Sequence, residues 1–368
     1  MALALYRKYR PKTLSDLLGQ EIIVEVIRNA AKNDKLAHAY LFYGQRGSGK
    51  TTTARLIAKI ANCETRQKNE KFKNTGEPCN NCQKCKEIDE GKSLDVIEID
   101  AASNRGIDEI RNLKEGIKFS PTSSAYKVYI IDEAHQLTKD AFNALLKTLE
   151  EPPAHALFIL ATTEYEKMPA TIVSRTQRFH FKRLPMIKIV EKLKSIIKAE
   201  NIKADDAVLE LIASSSEGSV RDAESLLDQI TSLEKEISLE EVEKILGRAG
   251  FSKTSQLAEA LIKNNAEEAL GILAKVNEGG YNLTQFNKDL IAYFRRVLAL
   301  KFSPALEEEF KKELPESDLN LIKKHSKIIN EQKTIELIKS LIRAYGEMKY
   351  SPFPIVPLEV AIVENLKS

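Results

Sequence analysis

The sequence lacks any long apolar run, although hydrophobic residues make up 43% of its 368 positions. No stretch approaches the length of about 20 apolar residues that a membrane-spanning helix needs, so a transmembrane span is excluded. The first residues, MALALYRKYRPKT, do not resemble a secretory signal, because their basic residues follow the apolar ones and the apolar stretch is too short. We therefore expect a cytoplasmic protein, and the length predicts two or three domains.

An excess of charge of one sign is also lacking, because 56 basic residues face 53 acidic ones and the net charge is only +3. This near balance argues against a histone-like coat of positive charge. It leaves open DNA binding through a local stripe of Lys and Arg, since attraction to phosphate acts locally. Internal repeats and a low-complexity tail are absent as well.

Cysteine is confined to one short segment, where Cys63, Cys79, Cys82 and Cys85 have the spacing C-x15-C-x2-C-x2-C. Disulfides are not expected in a reducing cytosol. Two overlapping C-x-x-C turns with a distant fourth thiolate suit a tetrahedral Zn²⁺ site with no open position, which is structural rather than catalytic. An iron–sulfur cluster and four unligated buried thiols are the alternatives. The spacing favours zinc.

Short, continuous apolar runs alternate with helical patterns through residue 181, which is typical of parallel strands covered on both faces. One helical pattern is the stripe of Ile22, Ile23, Val26, Ile27 and Ala30. This alternation predicts a doubly wound α/β domain. The predicted strands are Ala39–Tyr43, Asp95–Asp100, Lys127–Asp132, Ala156–Thr162 and Gln177–Phe181.

The strand signal ends after residue 181. Residues 182–247 read as a small helical bundle, whose buried stripe is Ile189, Leu193, Ile196 and Ile197. Gly247, Gly250 and the polar residues that follow them indicate a boundary. We therefore predict three domains, at residues 1–181 (with an insert over about 62–90), 182–247 and 248–368, the last two all-helical.

Residues Gly44–Thr51 read GQRGSGKT and match the phosphate-loop pattern G-x-x-x-x-G-K-[ST], with a predicted strand before it and a helix after it. The glycines let backbone N–H groups turn toward phosphates, and the helix start adds its positive end. Lys50 is expected to reach the β- and γ-phosphates of ATP and Thr51 to ligate Mg²⁺. The predicted nucleotide contacts are Gly44, Gln45, Arg46, Gly47, Ser48, Gly49, Lys50, Thr51 and Thr52.

The run KVYIIDEAH is a buried strand that ends in two acids. Asp132 is expected to hold Mg²⁺ through its water shell, and Glu133 to orient and deprotonate the attacking water. Adjacent acids can also cap the next helix, but a phosphate loop about eighty residues upstream favours the catalytic interpretation. The letters DEAH also name a class of helicases, although we find no second motor half here.

These elements together resemble the gamma/tau subunits of bacterial DNA polymerase III, the AAA+ ATPases of the sliding-clamp loader. The likeness rests on YRKYRPKTLSDLLGQE, HAYLFYGQRGSGKTTTARLIAK, the four cysteines after that helix, and DVIEIDAASNRGIDEIR. It continues through KVYIIDEAHQLTKDAFNALLKTLEEPP, LFILATTEYEKMPATIVSRTQRF, GSVRDAESLLDQ and SPFPIVPLEVA. It covers essentially the whole chain. The resemblance implies a RecA-like AAA+ domain with a zinc insert, a helical lid and a helical collar.

Several residue roles follow from the resemblance alone. Thr163 looks like sensor 1, a polar residue that feels the γ-phosphate, and Arg221 looks like sensor 2, reaching from the lid to the nucleotide. Arg175 looks like the arginine finger for a neighbouring subunit's ATP, although Thr176 stands where the family usually has Cys. By themselves these residues read as a strand-end cap, a helix-surface charge and a salt-bridge partner.

The resemblance also implies DNA contacts at Arg105 and Lys147, which by themselves are solvated charges. Its implied partners are delta and delta-prime type subunits, further copies in a ring, the sliding clamp and primed double-stranded DNA, with no membrane. The implied function is ATP-driven opening and loading of the clamp. The alternatives are a non-catalytic clamp-loader scaffold, a branch-migration helicase, and an archaeal-type replication factor C small subunit, which lacks the four-cysteine insert. The chain is expected to be either the family's short form or a truncation of a longer one.

Overall fold

The computed structural model describes residues 3–104, 106–232, 236–311 and 313–367. The chain forms two compact units, which are described separately below. The first comprises Met1–Leu184 with Gly218–Asp222, and the second Pro185–Glu217 with Ala223–Ser368. Among the described residues, no helix is both long enough and apolar enough to cross a membrane.

The first unit is built on a five-stranded parallel sheet with the strand order β2-β3-β4-β1-β5. Its strands agree with the predicted ones to within one residue at each end, because buried parallel strands are continuous apolar runs. The order brings the carboxyl ends of β1, β3 and β4 side by side at one edge of the sheet. The strands are β1 Ala39–Gly44, β2 Val96–Asp100, β3 Lys127–Asp132, β4 Ala156–Thr162 and β5 Gln177–Phe181.

Helices cover both faces of this sheet, so each face has its own apolar core. The face that includes Ile57 of α3 also packs residues of α2, and the opposite face packs residues of α7 and α8. The helices are α1 Leu5–Lys8, α2 Glu21–Lys32, α3 Lys50–Asn62, α4 Glu64–Lys68, α5 Glu70–Lys73, α6 Gln83–Asp89, α7 Ile107–Ile117, α8 Lys139–Glu150 and α9 Ala170–Val173. Short 3₁₀ turns lie at Leu14–Asp16, Ala134–Gln136 and Tyr165–Lys167.

The predicted buried stripe of α2 is partly wrong. Ile22 is 72% exposed and Val26 is 38% exposed, whereas Ile23 and Ile27 are buried together with Val24 and Ala31. A helix presents residues three or four positions apart to a sheet, and the contacting face here is centred on Ile23 and Ile27. Apolar residues one position before each of them therefore point away from the core.

The second unit is mostly helical, and the predicted stripe Ile189, Leu193 and Ile196 is buried, with Ile197 half-buried. The expectation of no further strands needs a small correction, because β6 (Lys203–Ala204) and β7 (Glu236–Ile237) form a two-residue parallel pair. Pairing that short leaves no alternating pattern to detect. The helices are α10 Met186–Glu200, α11 Asp206–Ser215, α12 Val220–Thr231, α13 Leu239–Leu246, α14 Phe251–Ile262, α15 Ala266–Glu278, α16 Leu283–Phe302, α17 Glu307–Phe310, α18 Glu316–Ile328, α19 Glu331–Met348 and α20 Ile355–Lys367, with a 3₁₀ turn at Pro304–Leu306.

Helix α13 ends at Leu246 and is followed by Gly247, which has the left-handed φ of +58° that favours glycine after a helix end. One apolar core then extends from Ala249 to Ile362 and unites α14 to α20. The first residues of α12, up to Asp222, cluster with the first unit. The division of residues 182–368 into a lid and a collar stays a prediction.

Candidate nucleotide site and metal centre

The predicted phosphate loop connects β1 to α3 and depends on glycine at two close approaches. Gly44 has φ +141°, and a Cβ there would lie 2.2 Å from the Phe181 carbonyl oxygen. Gly47 has φ +72°, and a Cβ there would lie 1.8 Å from Ser219 Oγ. Any larger residue at either position would displace a neighbour. The loop therefore keeps a tight turn directly before α3, where backbone N–H groups at a helix start can bind an anion.

Lys50 is the first residue of α3, and its side chain is folded over the loop. It is only 5% exposed, and its Nζ donates to the carbonyl oxygens of Gly44 (2.8 Å) and Gln45 (2.9 Å). Burial lowers the pKa of the Lys50 amine, while the nearby carboxylates of Glu133 and Asp132 raise it. The amine thus lies where a phosphate anion would replace weak carbonyl acceptors and relieve the cost of burying the charge.

The two predicted Mg²⁺ ligands are in direct contact. Thr51 Oγ1 donates to Asp132 Oδ2 at 2.7 Å, across 81 positions of sequence, and the other carboxylate oxygen accepts the Glu133 N–H at 2.9 Å. A hydroxyl and a carboxylate are oxygen donors of the kind that Mg²⁺ prefers. The residues present therefore fit a magnesium ion held between α3 and the end of β3.

The predicted base and the predicted sensor are also joined. Glu133 has the left-handed φ of +47°, and its Oε2 accepts a hydrogen bond of 2.8 Å from Thr163 Oγ1. A non-glycine residue with positive φ directly after a strand is strained, which is common at functional sites. The strained turn after β3 aims the carboxylate at the end of β4.

His135 is a member of this site that the sequence analysis missed. Its side chain is only 4% exposed; its Nδ1 lies 2.9 Å from Thr162 Oγ1 and 3.5 Å from Glu133 Oε2, and its Nε2 lies 3.1 Å from Glu164 Oε1. The imidazole therefore links the acidic turn after β3 to the residues that end β4. The run DEAH contained a signal for this role, because it places a histidine two positions after the predicted base Glu133.

The segment that carries Arg221 belongs to the first unit, and its Ser219 lies against Gly47 of the phosphate loop. The Arg221 guanidinium is 5.0 Å from the centre of the Tyr6 ring, a cation–π contact. Burial lowers the pKa of the nearby Arg10, and the positive charges of Arg55 and Arg221 lower it further. The sequence alone did not indicate that Tyr6 and Arg10 lie near Arg221.

Arg175 lies two residues beyond α9, and its partner is in its own chain. Its Nε donates to Glu150 Oε1 at 3.0 Å, and its Nη1 donates to the Thr171 carbonyl oxygen at 2.8 Å. Its side chain is 31% exposed, and Lys147, on the same helix as Glu150, is exposed as well. Arg105, the other predicted DNA contact, lies outside the described residues.

The four cysteines converge into one cluster, with their Sγ atoms all within 4.8 Å of one another. Cys63 and Cys85 are fully buried, and Cys79 and Cys82 are half-buried. A hydrogen bond from the Cys85 thiol, opposed by burial, lowers the pKa of the Cys63 thiol to about 4. Backbone N–H groups of Asn81 and Cys82 point at Cys79 Sγ, at 3.4 and 3.2 Å. Thiolates held in this way fit a closed zinc site.

Glu77, which precedes the C-x-x-C turns, ties the cysteine insert to the start of the chain. It accepts the Leu14 N–H at 2.7 Å and the Arg28 guanidinium at 2.8 Å. On the other side, the buried Lys59 of α3 donates to Asp89 at 2.8 Å. The insert is therefore anchored directly to the helix that begins at the phosphate loop.

The parallel sheet, the phosphate loop and the acidic end of β3 define a P-loop domain of the AAA+ class. The chain is 35% identical over 365 residues to DNA polymerase III subunit gamma of Buchnera aphidicola subsp. Acyrthosiphon pisum, covering 99% of this chain and 98% of that one. It belongs to the DNA polymerase III gamma/tau family.

Three family models match successive parts of the chain: the DNA polymerase III delta subunit model at residues 19–185, the clamp-loader ATPase lid domain model at 188–233, and the model of gamma and tau domain III at 237–367. DNA polymerase III subunit tau of Bacillus subtilis is 44% identical over 362 residues, which is 98% of this chain and 62% of that protein. The chain thus spans under two thirds of that longer relative. A solved structure of Thermotoga maritima RuvB matches with a TM-score of 0.46 and 18% sequence identity. The matched region covers 69% of this chain and 79% of the RuvB chain.

Proposed function

We propose that this chain is the ATP-hydrolysing motor subunit of a bacterial sliding-clamp loader, which opens the clamp and loads it onto primed DNA. The observation that carries the proposal is the 2.7 Å contact between Thr51 and Asp132, with Lys50 and Glu133 beside it. These are the groups needed to bind a nucleoside triphosphate together with a divalent ion and to activate water. A scaffold that had lost its activity would not need to keep them together.

Within this proposal, the loop N–H groups and Lys50 bind the phosphates of ATP, and Thr51 and Asp132 hold Mg²⁺. An ion held there would neutralise charge on the phosphate oxygens. Glu133 accepts the proton of the attacking water, which requires its carboxylate to turn from Thr163 toward that water. Arg221, whose segment touches the loop, contacts the nucleotide from the same side.

The proposal places ATP between subunits, with Arg175 serving the site of a neighbour. We infer partners of delta and delta-prime type, further copies of this chain, and residues 248–368 as the collar that joins them. An exposed apolar stripe supports the collar: Phe353, Val356 and Val360 are 68%, 47% and 47% exposed. Val356 and Val360 lie four apart on α20 and therefore share one helix face, which together with Phe353 just before the helix is suited to packing against another helix.

Contacts with DNA complete the proposal. Lys147 is exposed, and it is proposed together with Arg105 to meet phosphates of primed double-stranded DNA, reading backbone shape rather than sequence. The sliding clamp is the remaining partner, and replication of DNA in bacteria places the assembly in the cytoplasm. Zn²⁺ at the four cysteines is proposed as a structural ion without a catalytic role.

The experiment that tests this function is steady-state ATP turnover by the assembled complex. This chain, delta-type subunits, the sliding clamp and primed DNA are combined, and each component is then left out in turn. We expect turnover to rise when clamp and primed DNA are both present, because primed DNA completes the sites between subunits. Turnover that is absent in the complete mixture contradicts a motor role and favours a scaffold, and unwinding without a clamp favours a helicase.

A further inference from the structure

The guanidinium of Arg175 is almost fully occupied by acceptors of its own chain. Its Nε and Nη2 both donate to Glu150 Oε1, and its Nη1 donates to the Thr171 carbonyl oxygen and, at 3.2 Å, to Ser174 Oγ. The Nε–H, one Nη2–H and both Nη1–H groups are therefore used, which is four of the five donors of a guanidinium. Only one N–H remains to bind anything else.

A γ-phosphoryl group needs more than one donor. Arginine recognises phosphate best through two parallel N–H groups, and the single N–H that remains on Arg175 cannot supply such a pair. Glu150 occupies the edge of the guanidinium that carries Nε and Nη2, which is one of the two edges able to form the pair. Arg175 therefore has to release Glu150 before it can contact a phosphate in this way.

Glu150 itself is placed so that the release is easy. It is the last residue of α8, where the negative end of the helix disfavours a carboxylate and favours a nearby cation. Its side chain is 49% exposed, so water can solvate the carboxylate once the arginine has left. An exposed pair of this kind is weak and can be exchanged.

We propose that Glu150 is a positioning residue that holds Arg175 in a resting position, and that the γ-phosphate of a neighbouring subunit's ATP displaces it. The inference rests on the proposed function, in which Arg175 acts on a neighbour. The guanidinium exchanges one anion for another, so it is paired with an anion both before and after the movement. Subunits that are only loosely apposed leave Arg175 on Glu150, and their ATP is hydrolysed slowly.

The test is Glu150→Gln in the full assembly, with ATP turnover measured with and without clamp and primed DNA. Glutamine keeps the size of the side chain but removes the charge that retains the arginine. We expect turnover without clamp and DNA to rise about twofold to fivefold, which corresponds to about 0.4–1 kcal/mol. Fully stimulated turnover and ATP affinity should stay the same. Glu151→Gln, which removes the same charge from the next residue, is the matched control and should change neither rate.

Two further variants separate this inference from the proposed function. In an Arg175→Ala background, Glu150→Gln should have no effect, because no arginine is left to release. If Arg175→Ala alone leaves turnover intact, the arginine-finger role in the proposed function is wrong. If Arg175→Ala removes stimulated turnover but Glu150→Gln leaves the unstimulated rate unchanged or lowers it, the resting position is wrong and the finger role survives. Unchanged thermal unfolding of each variant shows that folding is not the cause.

Discussion

At the residue scale, the buried amine of Lys50 is the clearest single determinant of nucleotide binding. It lies 2.8 Å from the Gly44 carbonyl oxygen, inside the loop that would receive the phosphates. Charged hydrogen bonds contribute about 1.5–3 kcal/mol, so Lys50→Ala should weaken ATP binding roughly tenfold to a hundredfold. Isothermal titration with ATP and Mg²⁺ measures this. Lys198→Ala, on an exposed position of α10, is the control, and equal affinities in the two variants would contradict the role of Lys50.

A second residue-scale prediction concerns Glu133, which should separate binding from turnover. Glu133→Gln keeps the shape and the contact with Thr163 but cannot accept a proton. We expect ATP affinity to be retained and turnover to fall by roughly 10²–10⁴-fold, the usual contribution of a positioned base. Binding by titration and turnover by phosphate release measure the two effects. Glu166→Gln, an exposed acid in the turn after β4, is the control; turnover of Glu133→Gln equal to that of the control would place the base elsewhere.

Much of this site could be predicted from short motifs, because a phosphate loop and an acidic strand end have fixed spacing for chemical reasons. The partners of the motif residues could not. Glu150 binds Arg175 across 25 positions, and His135 binds Thr162 across 27. Such pairs depend on which elements become neighbours, and that follows from the tertiary fold rather than from local sequence.

At the scale of elements, the cysteine insert should behave as a metal-stabilised module. We predict one zinc per chain, bound by four thiolates at about 2.3 Å. Cys82→Ser should lower the melting temperature and the zinc content, while the protein that stays folded should still bind ATP. Elemental analysis and thermal unfolding check this, with Gln83→Ser as the control on the exposed neighbouring position. Protein that is purified without chelators and contains no zinc would contradict the assignment.

Asp95, directly before β2, fixes the loop that leads into β3. It is fully buried and accepts the N–H groups of Thr122 at 2.7 Å and Ser123 at 2.9 Å. Burial raises the pKa of this carboxyl, but these hydrogen bonds lower it more, so the net shift is downward. Its stabilising contribution is therefore present above the ordinary pKa of an aspartate and is lost as the pH falls through the lowered value.

Replacing Asp95 should accordingly destabilise the first unit and change its response to acid. Asp95→Ala removes the buried carboxylate that accepts both N–H groups, and because hydrogen bonds to charged groups contribute about 1.5–3 kcal/mol, the free energy of unfolding should fall by about that amount. The loss relative to the parent protein should be largest at neutral pH and should shrink in acid. Denaturant unfolding at several pH values measures it, and Glu90→Ala, an exposed residue before the same strand, is the control. A loss that does not depend on pH would show that the charge of Asp95 is unimportant.

The elements themselves were predictable to different degrees. The strands of the sheet followed from uninterrupted apolar runs, and only two of their ten ends differ from the prediction, each by one residue. The face of α2 did not follow, because Ile22 and Val26 are apolar yet exposed. Hydrophobicity shows that a residue can be buried, but which residues contact the sheet depends on how the helix is rotated against it.

At the scale of the whole molecule, the account depends on sites that are completed by a neighbouring subunit. A guanidinium inserted from the neighbour is worth roughly 10³–10⁵ in rate in well-studied phosphoryl-transfer enzymes. Sequence motifs could suggest this role for Arg175 only through family resemblance. A single chain shows the contact with Glu150, whereas the proposed contact with a neighbour's ATP requires an assembly.

Mixing two inactive variants tests this central claim most directly. Arg175→Ala chains keep an intact phosphate loop at Lys50 and Thr51, and Lys50→Ala chains keep an intact arginine. Turnover is measured in assemblies made from each variant alone and from both together, after mixed oligomers have been demonstrated. We predict that each variant alone is inactive and that mixed assemblies recover part of the hydrolysis, because some intact loops then face an intact arginine. Mixed oligomers that recover nothing, together with isolated Arg175→Ala chains that no longer bind ATP, would show that Arg175 acts within its own chain and would contradict the account.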